Sequence, residues 1–188
     1  FGANTNSLTI TIPITDDSDI ETNETFTVAL SNISGGTLLT PSTATVRILE
    51  DDSIVSLSTN AVAVVESVTN AILTVLRTGG TNYAVTVDFL TADGTATNAV
   101  DYVSTNGTLT IPAGATSRTI TVPLINDTTV DGDLDFTLSL TNAVGATLGT
   151  YTNVTITQRD NDSTFAFATN AVTVAESAGT LALTVTRT

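Results

Sequence analysis

Apolar side chains alternate with Thr, Ser, Asn and Ala in short runs along most of the chain. A period of two places each apolar set on one face of a strand. Over residues 53–162 the runs are Val62 and Val64, Leu73 and Val75, then Val85, Val87 and Phe89. Leu109 and Ile111 follow, then Ile120, Val122 and Leu124, then Leu134, Phe136, Leu138 and Leu140, and Val154 with Ile156 closes the series. Between them lie Gly79-Gly80, Asp93-Gly94, Asn106-Gly107, Pro112 to Gly114, Asp131 to Asp133 and Gly145 to Gly149, all turn chemistry. No stretch sustains a helical period. Seven short strands in about 100 residues predict an all-β fold, an immunoglobulin-like seven-stranded β-sandwich. The absence of Cys and Trp excludes the antibody-type core but not the architecture.

The pattern also repeats. At an offset of 110 residues the chain falls on itself without a gap, with Glu66 on Glu176, Arg77 on Arg187, Pro13 on Pro123 and Phe26 on Phe136. Glu50-Asp51-Asp52 falls on Asp160-Asn161-Asp162. The expected organisation is therefore tandem. Residues 1–52 read as the C-terminal half of a first repeat, 53–162 as a complete repeat, and 163–188 as the opening strands of a third. The end pieces carry apolar faces, Leu8, Ile10, Ile12 and Ile14 at one end and Leu181, Leu183 and Val185 at the other. Such strands need partners. They are completed either by more of the same chain, the favoured expectation, or by a neighbouring chain in a polymer.

Composition narrows the function. With 19 acidic and 5 basic residues the net charge is −14, which argues against nucleic acid and anionic membrane as partners and favours cations. The apolar runs are too short to insert in a membrane. Without Cys or His, zinc and copper centres lack their usual ligands. With Lys also missing, most nucleophile–base pairs are excluded, so no enzyme is expected.

All acidic residues except Asp88 and Asp93 fall at recurring places in the repeat. These are the close of the split first strand, the position before Tyr102, the loop before the Phe strand and the end of the last strand. In a sandwich those places meet at one end. Glu66, Asp101, Asp127, Asp131, Asp160 and Asp162 are expected to converge there, with neutral oxygens from Asn126 and Asn161. Two carboxylates about 4 Å apart repel by about 4 kcal/mol at a protein surface, and a hard divalent cation reverses that sign. The competing reading is a set of ordinary solvated turns, since Asp and Asn suit turns for backbone reasons. The recurrence after 110 residues favours the cation, and the all-oxygen donor set favours Ca2+.

Read together, VVES at 64–67, TADGTATNAVDY at 91–102, IPAGATSRTITVPLIND at 111–127, LDFTLSL at 134–140 and RDND at 159–162 resemble the Calx-beta domain. ITDDSDIETNETF at 14–26 and ILEDD at 48–52 extend the resemblance into the first piece. The form is that of tandem repeats in bacterial surface proteins, similar to the calcium-binding domains of sodium–calcium exchangers. The resemblance implies calcium at one end of the sandwich. Its ligands would be Glu66, Asp101, Asn126, Asp127, the Thr129 carbonyl, Asp131, Asp160, Asn161 and Asp162. In the first piece they would be Asp16, Asp17, the Asp19 carbonyl, Glu21, Glu24, Glu50, Asp51 and Asp52, and Glu176 would open a third site. Asn126, Asn161 and Leu134 depart from the acidic pattern, which implies fewer or weaker ions in the complete repeat.

Three function classes remain. The leading one is a calcium-stiffened rod of an extracellular stalk, matrix fibre or filament, at the cell surface or secreted. Its partners are neighbouring copies of the repeat, in the same chain or in adjacent subunits. The short junctions, Ser53 to Val55 and Ser163 to Phe165, support stiffness. The second is an adhesin binding a glycan or protein through loops such as Asp93 to Asn98. The third is a calcium-sensing regulatory domain.

Overall fold

The computed structural model describes every residue except Ala3. In chain order the strands are β1 (Glu24–Ala29), β2 (Thr43–Ile48), β3 (Ser53–Leu57), β4 (Ala61–Val65), β5 (Asn70–Gly79), β6 (Val85–Asp93) and β7 (Asn106–Ile111). They continue with β8 (Ser117–Pro123), β9 (Leu134–Val144), β10 (Thr147–Leu148), β11 (Asn153–Arg159), β12 (Phe165–Phe167) and β13 (Val185–Arg187). A single 3-10 turn at Glu176–Ala178 is the one helical element among the described residues.

Strands β3 to β11 close into two stacked sheets. One has the order β10-β3-β5-β8 and the other β4-β11-β9-β6-β7. Alternation drives the assembly, because each strand turns one apolar face inward. Val55, Leu57, Leu73, Val75, Ile120 and Val122 face the core from the first sheet. Val85, Val87, Ile111, Phe136, Leu138, Leu140, Val154 and Ile156 meet them from the second. Each fully buried side chain of this kind contributes about 1.5–3 kcal/mol. The Thr-rich outer faces keep β propensity without adding apolar surface.

The first strand is split, as the sequence indicates. Its first half, β3, pairs antiparallel with β5, and its second half, β4, pairs parallel with β11. The start of β3 corrects the expected junction. Ser53 to Val55 are not connector, because the strand begins at Ser53 and Val55 is fully buried. The Val55-x-Leu57 alternation is the same signal as elsewhere, masked by the adjoining acidic run. Strand β10 is a second correction. Part of the expected turn at 145–149 adds a short parallel edge to β3.

The outer pieces hold fewer ladders than their patterns suggest. Leu8, Ile10, Ile12 and Ile14 were expected on a strand, yet residues 4–23 form none. Ile12 corresponds to Val122 on β8, whose neighbour is β5. Among the described residues no strand lies beside residues 4–23, so the backbone there has no ladder to join. Strands β1 and β2 do pair, and β12 pairs with β13. Leu181 and Leu183 stay exposed outside any strand.

The first piece abuts the sandwich. Gly80 N donates to the Asp52 carbonyl at 2.7 Å, and Asn82 Nδ2 donates to the Glu50 carbonyl at 2.7 Å.

Candidate metal centre

Topology delivers the acidic residues to one end. Strands β4 and β11 run parallel with Val65 beside Arg159, so Glu66 and Asp160 emerge side by side. Glu66 N donates to the Arg159 carbonyl at 3.0 Å. Strand β9 is antiparallel to β11, with Leu134 beside Gln158. The loop preceding β9 therefore arrives at the same end with Asp127 and Asp131. Asp101 comes from the β6–β7 connection. Its Oδ2 accepts from Thr97 N at 2.6 Å, and its carbonyl accepts from Ile125 N at 2.8 Å, which ties it to the loop after β8.

Two groups result within the sandwich. Glu66, Asp160 and Asp162 offer carboxylate oxygens within 4.8 Å of one another, and so do Asp101, Asp127 and Asp131. The groups adjoin, since Asp160 Oδ2 accepts from the backbone N–H of Asp131 at 3.1 Å and of Gly132 at 2.9 Å. The six carboxylates expected at one end thus fall into two adjoining groups of three.

Electrostatics mark the strain of this crowding. Glu66 is 5% exposed. Burial first, then the neighbouring Asp162 carboxylate, pushes its acid up to about 7, against an opposing pull from the Asn161 backbone. Asp131, though exposed, is raised by desolvation and then by Asp127, Asp160 and Asp101. Asp160 is lowered instead, because the backbone N–H groups of Asp162 and Gly132 bond its carboxylate. Glu66 Oε1 and Asp162 Oδ2 are buried with no hydrogen-bond partner. A buried carboxylate oxygen without a donor costs far more than a neutral one, so two at one point call for a cation.

The first piece carries a third group of Glu50, Asp51 and Asp52, again within 4.8 Å. Asp16, Asp17, Asp19, Glu21 and Glu24 line the same pocket. Glu21 is raised chiefly by Glu24 and then Asp17, and Asp52 by burial and then Glu50. The internal bonds repeat at the 110-residue offset. Asp19 N donates to Asp17 Oδ1 as Thr129 N donates to Asp127 Oδ1. Glu21 N donates to Glu50 as Asp131 N donates to Asp160. Asp52 N donates to Glu50 Oε1 at 2.6 Å, as Asp162 N donates to Asp160 Oδ1 at 2.7 Å. The duplication is thus conformational as well as sequential.

Some expected ligands stand outside the carboxylate groups. The Asn126 side chain donates to the Asp127 carbonyl, which leaves its own oxygen free of that bond. Thr129 enters through its N–H, and Asn161 through its backbone beside Glu66. Glu176 lies exposed in the 3-10 turn and belongs to none of the groups of three found among the described residues. Asp133, Asn23 and Gly132 were missed. Asp133 and Asn23 each accept from the residue that opens the closing acidic run, Asp160 and Glu50 respectively. They lie 110 residues apart, so the repeat itself held the signal. Asp88 and Asp93, the two acids outside the pattern, serve structure. Asp88 accepts from Thr108 and Asn142, and Asp93 from Tyr102 and Asn98.

A donor set made only of carboxylate, carbonyl and amide oxygens fits a hard divalent cation. A sequence model of the Calx-beta domain matches residues 1–52 and 50–162. The chain is 33% identical over 193 aligned residues to adhesion G-protein coupled receptor V1 of Danio rerio, covering 96% of this chain and 3% of the receptor. It is 35% identical over 138 residues to sodium/calcium exchanger 1 of Felis catus, covering 62% of this chain and 14% of the exchanger. It therefore spans a small part of either relative. The solved structure of calcium binding domain CBD12 of CALX1.1 resembles it with a TM-score of 0.57 and 27% identity, over 70% of this chain and 56% of that one.

Proposed function

The chain belongs to the Calx-beta family, and from that membership and its carboxylate groups we propose that it is a calcium-binding structural repeat whose ions sit at the domain junctions of a head-to-tail rod. Ca2+ is the ion these domains take. The observation that carries the reading is the pair of buried, donorless oxygens on Glu66 and Asp162, two residues that share one carboxylate group with Asp160. Glu66, Asp160 and Asp162 would hold one ion, and Asp101, Asp127 and Asp131 a second. Glu50 to Asp52, with Glu21 and the Asp16–Asp17 loop, would hold ions at the preceding junction. Bound calcium supplies positive charge, which turns mutual repulsion of the carboxylates into cohesion.

The junctions favour a rod over a flexible chain. Only Leu49 to Asp52 separate β2 from β3, and all three acids of that run belong to a carboxylate group. Stiffening the connector therefore stiffens the joint. A rod of this kind suits an extracellular stalk, matrix fibre or filament, where calcium is abundant enough for modules with Kd of about 10⁻⁴–10⁻³ M. The loop from Asp93 to Asn98 is a weak platform for an adhesive ligand, since Asp93 and Asn98 are engaged in bonds to Tyr102 and Ser104. The test is small-angle scattering with and without millimolar calcium, beside a calorimetric titration. Calcium binding with an extended, narrower set of shapes is the expected result. No heat of binding, or an unchanged scattering curve, overturns the reading.

A further inference from the structure

The segment Gly79–Asn82, from the last residue of β5 into the turn before β6, touches the preceding acidic end. Gly79 has φ +96°, and a Cβ there would lie 2.6 Å from the Asp52 carbonyl oxygen and 3.1 Å from Ile20. A Cβ on Gly80 would lie 2.6 Å from the Glu50 carbonyl oxygen. The two contacts with carbonyl oxygens are backbone collisions, which no rotamer change relieves. The absence of side chains lets two backbones meet. Gly80 N then reaches the Asp52 carbonyl, and Asn82 Nδ2 reaches the Glu50 carbonyl at 2.7 Å and Asn23 Oδ1 at 3.3 Å.

The turn is also anchored from below. Gly114 N donates to the Thr81 carbonyl at 2.8 Å. Arg77, 4% exposed, donates from Nη1 to the Tyr83 carbonyl at 2.6 Å. A buried guanidinium and a second loop thus hold the turn on its own sandwich, so its position reports the position of the whole domain.

We propose that Gly79, Gly80 and Asn82 form a docking key that fits the closing acidic run of the preceding repeat and sets the angle between the two. The carbonyls it grips belong to Glu50 and Asp52, whose carboxylates form the preceding group. The key grips backbone while the carboxylates remain for the cation. The two act on one segment, the key on its backbone and the cation on its side chains. Any coupling between them rests on the calcium reading, whereas the key itself does not.

The chain has no cysteine, so a single pair of spin labels reads the angle cleanly. Exposed Thr45→Cys on β2 and exposed Thr110→Cys on β7 place one label on each side of the joint. The full chain is expected to give one narrow distance distribution. Asn82→Ala removes two donors from an exposed position without a clash, and is expected to broaden the distribution. Gly80→Ala is expected to broaden it and shift its mean, with the melting of the 53–162 sandwich retained. Narrow, unshifted distributions in both variants overturn the proposal. The calcium reading separates in a second arm. Variants that broaden in a chain that binds no calcium leave the key standing and remove the ion.

Discussion

The Tyr102 ring lies flat against Phe136, with centroids 4.0 Å apart and planes 7° from parallel. Both residues are fully buried, and the Tyr102 hydroxyl donates to Asp93 Oδ1 at 2.6 Å. Asp101 immediately precedes Tyr102, so a packing contact places a candidate ligand. Phe136→Ala should cost about 3–5 kcal/mol through the cavity it leaves. Tyr102→Phe keeps the stack and loses only the bond to a carboxylate, about 1.5–3 kcal/mol. If Asp101 is positioned by this stack, Phe136→Ala also weakens calcium binding while Tyr102→Phe changes it little. Chemical denaturation with calcium titration of both variants checks this.

Chelation should lower the melting temperature of the parent chain. Each bound ion stabilises by about 2.7 kcal/mol when calcium stands at 100 times its Kd. Glu66→Gln tests the origin of that effect, because it removes a buried charge and retains the shape. In chelator the variant should melt above the parent, and in calcium the order should reverse. Differential scanning calorimetry reads both. A variant less stable than the parent in chelator contradicts the assignment of Glu66 as a strained, cation-dependent carboxylate.

Acidity gives an independent measure of the same strain. The Glu66 acid lies near 7 in the fold and 4.5 is its ordinary value. Between those values the metal-free folded state holds a proton that the unfolded chain has released. Stability then falls as pH rises. The contribution of Glu66 is best below about pH 4.5, declines from there to about pH 7 and levels off above. Melting the chain in chelator across that window should show the decline, and Glu66→Gln should flatten it.

Much of this was legible beforehand. Alternation at Leu73 and Val75 or at Phe136 to Leu140 marks strands because nothing else competes there. The convergence of Glu66 with Asp160 followed from a split first strand lying beside the last. What stayed hidden has physical causes. Strand β3 starts directly after an acidic run, so its first residues looked like connector. The strand expected over Leu8 to Ile14 is absent because a strand needs a neighbour, which a local pattern does not report. Asp133 and Asn23 act by accepting a backbone N–H, a role that carries no charge signature. The docking of Gly79 and Gly80 depends on which backbone comes within 3 Å, and two glycines in a turn look the same with or without such contact.

Two aspartates on one molecule should respond to substitution with opposite signs. Asp88 accepts from Thr108 Oγ1 at 2.6 Å and Asn142 Nδ2 at 3.2 Å, and these bonds hold its acid below the ordinary value. A lowered acid stabilises the fold above its unfolded pKa and loses that contribution as pH falls through the folded one. Asp88→Ala should therefore lower the melting temperature at neutral pH, with the deficit shrinking in acid and calcium binding untouched. Asp131 is raised by desolvation and by the acids around it, so its charge opposes folding when no cation is present. Asp131→Asn should raise the metal-free melting temperature and weaken calcium binding. Melting curves of both variants at neutral and acid pH, with and without calcium, decide the matter. If Asp131→Asn destabilises the metal-free chain as Asp88→Ala does, the loop is an ordinary hydrogen-bonded turn and not a cation site.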